Sequence, residues 1–367
     1  MGKPDKKHAD IRCLFICKKS TQDNANFHGY FRQYSGLFIS AKLVSGMLND
    51  KCSIESKVVV VTDNNDIDRE VTQYKPTHVF IEAYWVVPEK FDVLIPLHPD
   101  VRWIVRVHSE IPFWAQEGIA MDWTMRYLDY PNVFIAPNSP TAYDSIMNVL
   151  FEKYRKSVIE RIIYLPNYYP TTGLEVKDSG DGSVDNSYFN VACFGSIRPM
   201  KNHLNQAIAA LRFGREVLGK PIGFHINSNR IEMNGSPVLN NLRGLFKNIN
   251  PQYGKLFEHA WQPHPFFLGL VRQMDIGMQV SFTETFNIIA ADFVTQGVPF
   301  VGSRQITWLP RASCADPNDV DDIVATMKSA WQSRKLGLYK MFNRRGLVAY
   351  NEASIERWHD YLICERY

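Results

Sequence analysis

Short runs rich in β-branched and aromatic residues alternate with helical patterns along this chain, and the series occurs twice. IRCLFIC (11–17), KVVVVTD (57–63), HVFIEAY (78–84), RWIVRVH (102–108) and NVFIAPN (132–138) are apolar on both faces, the pattern of buried strands in a parallel sheet. Helical spacing follows the first run in SGLFISAKLVSGML (35–48), which opens with Gly36. It also follows the fifth in SPTAYDSIMNVLFEKYR (139–155), where Ser139 is placed to cap the first turn. Strands alternating with helices predict βαβ units and an α/β fold.

The pattern breaks after IIYLPNYYP (162–170). Residues 171–188 are rich in Gly, Ser and Asp without apolar periodicity, which predicts a linker. A second series runs FNVACFGS (189–196), HLNQAIAALRF (203–213), PIGFHIN (221–227), KLFEHA (255–260), PFFLGLVRQM (265–274) and DIGMQVS (275–281). The tail ASIERWHDYLICERY (353–367) reads as an amphipathic helix. A chain of 367 residues fits two cores better than one. The expected organisation is a Rossmann-like domain over 1–170, a linker over 171–188, a second such domain over 189–348 and a terminal helix over 349–367. A ligand site is expected in the cleft between the domains.

Charge and cysteine usage narrow the classes. The formal net charge of +3 does not demand a nucleic-acid partner. Between Arg198 and Lys255, however, nine Lys or Arg face only two acids, Glu216 and Glu232. That stretch reads either as a solvated face or as a positive groove for phosphates. The six cysteines, at 13, 17, 52, 193, 314 and 364, complete no zinc pattern, and Cys13 and Cys17, inside IRCLFIC, read as buried thiols in a reducing setting. The opening MGKPDKKHAD has no apolar core of a signal peptide, and no run of about eighteen apolar residues occurs. A cytoplasmic protein without a membrane span is expected.

Two stretches carry chemistry. CFGSIRPMKNH (193–203) reads as a strand end, a glycine turn and a helix start. A turn at Gly195 lets backbone approach a phosphate closely, and Arg198 and Lys201 add charge for a diphosphate. The P-loop pattern and the dinucleotide G-x-G-x-x-G are both missing. SFTETFNIIAADFVTQGVPFV (281–301) places Glu284 in a turn and starts a helix near Asn287, with the N–H groups of Phe286 to Ile288 at its opening. Glu284 is suited to sugar hydroxyls. Asp292, inside an otherwise apolar helix, is costly to bury unless hydrogen-bonded and is suited to a pair of ribose hydroxyls.

These two stretches resemble the retaining GT-B glycosyltransferases of glycosyltransferase family 4. The family's E-x7-E is matched by Glu284 and Asp292, with Asp in place of the second Glu, and the spacing to Gly297 and Pro299 is kept. Its G-R-L-x-P-x-K turn is matched over Gly195 to Lys201, with Ser196 in the usual arginine position and Arg198 as a candidate substitute. LFEHAWQPHPFFLGLVRQMDIGMQVS resembles the family's base-binding segment, which implies Trp261 and Gln262 near the base. In the first half, Ser35-Gly36 resembles the family's glycine helix start, YLPNYYP its crossover segment, and His108 a histidine facing the reacting sugar. The resemblance implies two Rossmann-like domains facing each other across a cleft, with the terminal helix crossing back to the first.

The activity implied is transfer of a sugar, with retention, from a nucleotide diphosphate sugar, UDP-sugar favoured, to an acceptor hydroxyl. In that reading Lys201 and Arg198 stabilise the leaving diphosphate, His108 orients the sugar and Glu284 holds its hydroxyls. No D-x-D metal motif stands at a suitable strand end, and DPNDVDD (316–322) reads as an acidic helix start, so no cofactor and no metal are expected. Aromatics around His108, among them Trp103, Trp114 and Trp123, are candidates to stack on a sugar or a flipped base. With the basic stretch, they make double-stranded DNA carrying hydroxymethylated bases the expected acceptor, in resemblance to bacteriophage enzymes that glycosylate such bases. A phage-encoded enzyme would act in the host cytoplasm. A polysaccharide, lipopolysaccharide or small-molecule acceptor is the alternative, and a non-catalytic sugar-nucleotide-binding protein is the alternative of another class.

Overall fold

The computed structural model describes residues 11–19, 26–27, 31–32, 35–150, 156–178 and 184–364. Two compact units divide the chain. Unit 1 holds Tyr34–Tyr169 with the first strand and the segment Tyr350–Tyr367, and unit 2 holds Pro170–Ala349 with Ala25–Gln33.

In unit 1 the strands are β1 (Arg12–Lys18), β2 (Glu55–Val61), β3 (His78–Glu82), β4 (Arg102–Val107) and β5 (Val133–Pro137). They form one parallel sheet in the order β2-β1-β3-β4-β5. Each overlaps the apolar run that predicted it, β1 running one residue past 11–17 and β2 starting two residues before 57–63. Alternate residues go to opposite faces, as the strand period requires. Leu14, Ile16, Val79, Ile81, Trp103 and Val105 enter one core. Cys13, Phe15, Cys17, Phe80 and Ile104 enter the other, together with Trp358, Tyr361 and Leu362 from the end of the chain. β2 departs from the expectation of burial on both faces. It is an edge of the sheet, and of its residues only Val61 is buried.

Helix α1 (Gly36–Lys51) follows β1. Ser35 caps it, its Oγ accepting the Phe38 N–H at 3.3 Å, and its inner face is built partly of small residues, Ser40, Ala41 and Ser45. Helix α2 (Pro140–Leu150) follows β5, with the Ser139 hydroxyl accepting the Ala142 N–H at 3.1 Å. The expected continuation over 151–155 lies outside the described residues.

Unit 2 repeats the theme with β6 (Phe189–Ala192), β7 (Ile222–Asn227), β8 (Gly254–His259), β9 (Ile276–Gln279) and β10 (Phe300–Gly302). The parallel order is β8-β7-β6-β9-β10. Chain direction across this sheet reverses between β6 and β9, the switch point where open α/β sheets hold ligands at the carboxyl ends of their strands. Helices α3 (His203–Phe213), α4 (Ser236–Asn248), α5 (His264–Val271), α6 (Ile288–Gln296) and α7 (Val320–Ser333) flank it. The acidic stretch 316–322 does start a helix: the Asp319 carboxylate accepts the N–H groups of Asp321 and Asp322. Sequence reading had no helix over α4, whose apolar contacts Leu239 and Leu242 are few.

The terminal helix, α8 (Leu338–Ile363), begins fifteen residues before the expected 353, and 365–367 lie outside the described residues. Its early turns belong to unit 2 and its residues from Tyr350 onward to unit 1. No helix among the described residues is long and apolar enough to cross a membrane.

Candidate sugar-nucleotide site

The switch point of unit 2 is where the two chemistry-bearing stretches meet. After β6 the chain turns at Gly195, whose φ of +108° is open to glycine and strained for side-chain-bearing residues. The Gly195 N–H donates to Asn227 Oδ1 at 2.9 Å. A Cβ built on Gly195 would touch Ile289 Cγ1 at 3.8 Å, so the turn lies against the first turn of α6. Gln279, at the end of β9, ties the turns together. Its Nε2 donates to Phe194 O at 2.7 Å, and its Oε1 accepts from Asn287 Nδ2 at 3.0 Å. Asn287 in turn caps α6 through Ala290 N at 2.8 Å, with its own φ at +59°. The N–H groups of Ile288 and Ile289, in the first turn of α6, have no intrahelical acceptor and carry the positive end of the helix dipole.

Lys201 ends a single 3₁₀ turn, Pro199–Lys201, and Glu284 stands in the loop before α6. A backbone hydrogen bond from Phe282 N to Met200 O at 3.0 Å joins their loops. The Lys201 ammonium donates to Glu284 Oε1 in an ion pair that is almost buried, the residues being 8% and 9% exposed. Burial lowers the lysine pKa, with Glu284 opposing and Arg198 assisting. Near the same loop, the buried hydroxyls of Ser281 and Thr283 have no hydrogen-bond partner among the described residues. The place therefore combines a lysine–carboxylate pair, helix N–H groups and spare hydroxyls, fittings for a polar, phosphate-bearing ligand.

Arg198 is held differently from Lys201. Its guanidinium stands 3.7 Å from Glu232, which also accepts Arg230 Nε at 2.7 Å and bonds the Ser196 side chain. Burial pushes the Glu232 carboxyl up, but Arg230, Arg198 and Ser196 bring it below its ordinary value. Ser196, in the family's arginine position, thus helps hold the acid that positions Arg198. Arg230 lies over the Trp261 ring at 4.5 Å, and the Trp261 backbone N–H donates to Asn229 Oδ1 at 2.8 Å, which places the residue at the mouth of β8. Gln262 beside it is buried. Phe286, expected at the helix opening, is buried, and its carbonyl accepts Trp308 Nε1 at 2.7 Å.

Asp292 corrects an expectation. It is wholly buried, and its Oδ1 accepts His264 Nε2 at 2.7 Å. The costly buried acid is paired through Oδ1 with a histidine at the start of α5 and does not stand open to ribose hydroxyls. His264 is the more exposed member of the pair. Nothing in the sequence pattern marked it, because its partner lies 28 residues away.

His108 belongs to a second polar cluster, at the carboxyl ends of β3, β4 and β5 in unit 1. Glu82 is fully buried and accepts from both Arg106, at 3.0 Å, and His108 Nε2 at 2.5 Å. His108 Nδ1 faces Asn138 Nδ2 at 3.2 Å, and Arg106 also donates to Asn167 Oδ1 at 2.8 Å. Asn167 Nδ2 reaches Ser40 of α1 at 3.1 Å. Burial raises the Glu82 pKa and is outweighed by Arg106 and His108, so the acid stays ionised. Burial lowers the His108 pKa against the pull of Glu82. Both ring nitrogens are engaged, so His108 is a fixed, oriented ring.

Ser35 is buried as the cap of α1, and Gly36 opens that helix onto free space. Trp114 is a core residue, edge-on to Tyr84 at 5.7 Å with its Nε1 donating to Ser109. Trp103 and Tyr127 are fully buried, and Trp123 packs on the same core. Trp103, Trp114 and Tyr127 thus belong to the core of unit 1, with Trp123 half-buried against it. The basic stretch also departs from a phosphate groove: Arg212, Arg215 and Arg243 pair with Glu216, Asp321 and Glu258. Among the described residues one His/Cys/acid group has ligand atoms within 4.8 Å of one another, His359, Asp360 and Cys364 near the end of α8.

No protein-family model and no curated protein matches the chain by sequence. Solved structures match it in fold. The apo structure of OtsA aligns with a TM-score of 0.68 at 10% identity, over 96% of this chain and 98% of that one. The E. coli trehalose-6-phosphate structure bound with UDP-2-fluoro glucose gives 0.62 at 9% identity, over 95% and 99%. The pneumococcal O-GlcNAc transferase GtfA in complex with UDP and GlcNAc gives 0.54 at 12% identity, over 81% of this chain and 59% of that one. The chain has the α/β fold of these proteins, two parallel five-stranded sheets of the GT-B class.

Proposed function

We propose that the chain is a retaining glycosyltransferase that moves a sugar from a nucleotide diphosphate sugar, UDP-sugar favoured, to an acceptor hydroxyl. The observation that carries this reading is the buried Lys201–Glu284 pair beside the Gly195 turn and the start of α6, at the switch point of the sheet. Similar folds solved with UDP-2-fluoro glucose, or with UDP and GlcNAc, support the same ligand class.

The diphosphate lies against the Gly195 turn and the α6 N–H groups, with Lys201 supplying a full charge. The bond between the anomeric carbon and the β-phosphate oxygen breaks, and the acceptor oxygen bonds to that carbon on the same face. The acceptor proton passes to the departing phosphate. Lys201 opposes the negative charge that grows there, and a barrier lowered by about 3 kcal/mol is the usual scale for one such donor. Glu284 shares the lysine and takes hydroxyls of the transferred sugar. Trp261 and Gln262 flank the base, and Arg198 sits at the rim. Turnover needs no divalent metal, and chelator leaves the rate unchanged.

For the acceptor, a hydroxymethylated base in double-stranded DNA stands beside glycans and small molecules. The structure gives other partners to the aromatics and to most of the basic residues that suggested DNA. A nucleotide-release assay with a panel of UDP- and GDP-sugars tests the reading. It is run with hydroxymethylcytosine duplex, with unmodified duplex and with an oligosaccharide pool. Release that Lys201→Met abolishes supports the assignment, and the arm that stimulates it identifies the acceptor. Binding of a sugar nucleotide without release under any condition would leave a non-catalytic binding protein instead.

A further inference from the structure

The early turns of α8 present an apolar face to solvent. The inner side of this segment is firmly held in unit 2. Tyr339 and Leu347 are buried, the Tyr339 hydroxyl donates to Ala312 O at 2.5 Å, and Asn343 Oδ1 accepts the Ser313 hydroxyl at 2.7 Å. At Gly346 a Cβ would stand 2.4 Å from the Trp308 carbonyl oxygen, so the helix lies directly on backbone there. The outer side is therefore fixed in direction.

At about 100° per residue, Leu338, Met341, Phe342, Arg345 and Val348 fall within an arc of about 120° opposite that buried side. Met341 is 45% exposed and Phe342 46%, and Leu336, in the turn before the helix, is 75% exposed. Scattered exposed apolar side chains are ordinary, but a contiguous set on one rigid face marks an interaction surface.

Its charge says what kind. Between Asp322 and Glu352 the sequence has six Lys or Arg (Lys328, Arg334, Lys335, Lys340, Arg344 and Arg345) and no acid. Arg334 stacks on Trp331 and Arg344 donates to Thr171 O, which leaves exposed Lys335 and Arg345 beside the apolar arc. Arg345 lies within the apolar arc, and exposed Lys335 adjoins Leu336. Long basic side chains around Leu, Met and Phe suit a surface that is apolar a few ångströms down and negatively charged on top. A second copy of the chain would bring like charges together. A nucleic acid would leave Met341 and Phe342 against phosphates they cannot bond.

We propose that this face, Leu336 to Val348, docks the protein on an anionic phospholipid bilayer without spanning it. Electrostatic attraction brings the basic residues to the headgroups, and Leu336, Met341 and Phe342 enter the interface between headgroup and acyl chain. The inference does not depend on the donor site, since it uses none of its residues.

The test is co-sedimentation of the full chain with vesicles of phosphatidylcholine alone and of phosphatidylcholine mixed with phosphatidylglycerol, at low and high salt. The wild type is expected to partition onto the mixed vesicles and to be released by salt. Met341→Ser/Phe342→Ser is expected to lower that partition about tenfold or more. Lys335→Glu/Arg345→Glu removes its dependence on the anionic lipid. All four side chains are exposed, and circular dichroism checks that the variants fold. Failure of the wild type to bind either vesicle, or equal binding by wild type and both variants, overturns the proposal. So does a wild-type dimer that dissociates on Met341→Ser/Phe342→Ser, which would assign the face to self-association.

Discussion

Lys201 and Glu284, 83 residues apart in the chain, form an ion pair that is nearly closed to water. Neither loop has a local reason to bring them together. Tertiary bonds do so: Phe282 N donates to Met200 O, Gln206 Nε2 donates to Lys201 O at 2.7 Å, and Gln206 Oε1 accepts the Val280 N–H at 2.8 Å.

Breaking a buried pair by removing one partner leaves a charge uncompensated, at about 3–5 kcal/mol. Lys201→Met and Glu284→Gln should each lower the unfolding midpoint, and Lys201→Met/Glu284→Leu should recover most of it. Activity should separate from stability. All three variants are expected to lose nucleotide release by about a hundredfold or more, and the double variant regains none. Recovery of activity along with stability would mean that the pair is structural only.

Glu82 should matter to unit 1 as much as any apolar core residue. Glu82→Ala leaves the fully buried Arg106 without its acid and frees the His108 ring, and a loss of about 3–5 kcal/mol is expected. Urea unfolding measures it. An unchanged midpoint would show that water or rearrangement satisfies Arg106.

Asp292 and His264 should behave as one unit. Asp292→Asn keeps an acceptor for the histidine and loses its charge, so a lower unfolding midpoint is expected with the donor KM near the wild-type value. His264→Ala should do the same, and the double variant should be no worse than the worse single one. Additive losses of stability in urea unfolding would contradict the coupling.

Acid should destabilise the fold well before carboxylates are titrated. Burial depresses His78 to about 4, and His203 and His225 to about 3. Each is neutral in the folded protein and takes up a proton on unfolding below the ordinary histidine value of about 6.5. Their contribution is complete above that value and is lost as pH falls from about 6.5 toward 4. Each group adds a slope of about 1.4 kcal/mol per pH unit in that window. Thermal midpoints measured across it should fall steeply, and His225→Asn, which removes one such proton, should flatten the fall.

Much of the fold was legible because its information is local. Runs such as IRCLFIC and RWIVRVH announce buried parallel strands by composition alone, and HLNQAIAALRF matches α3 residue for residue. The edge position of β2 was not legible, since Val58 to Val61 read the same whether one neighbour or two pairs with them. The Gly195 turn and Glu284 could be found from a motif. Glu82 could not: a single acid ending HVFIE looks like a strand terminus, and its partners lie 24 and 26 residues on. Asp292 was visible as an acid in an apolar helix, but its partner His264 was hidden because their meeting depends on how α5 packs on α6.

The most direct measurement is calorimetric titration of UDP into the wild type and Lys201→Met. The account predicts saturable binding by the wild type that is weakened at least tenfold by loss of the lysine charge, with the variant still folded. Equal affinity in the two proteins, or no binding by the wild type, would contradict a diphosphate site at the Gly195 turn.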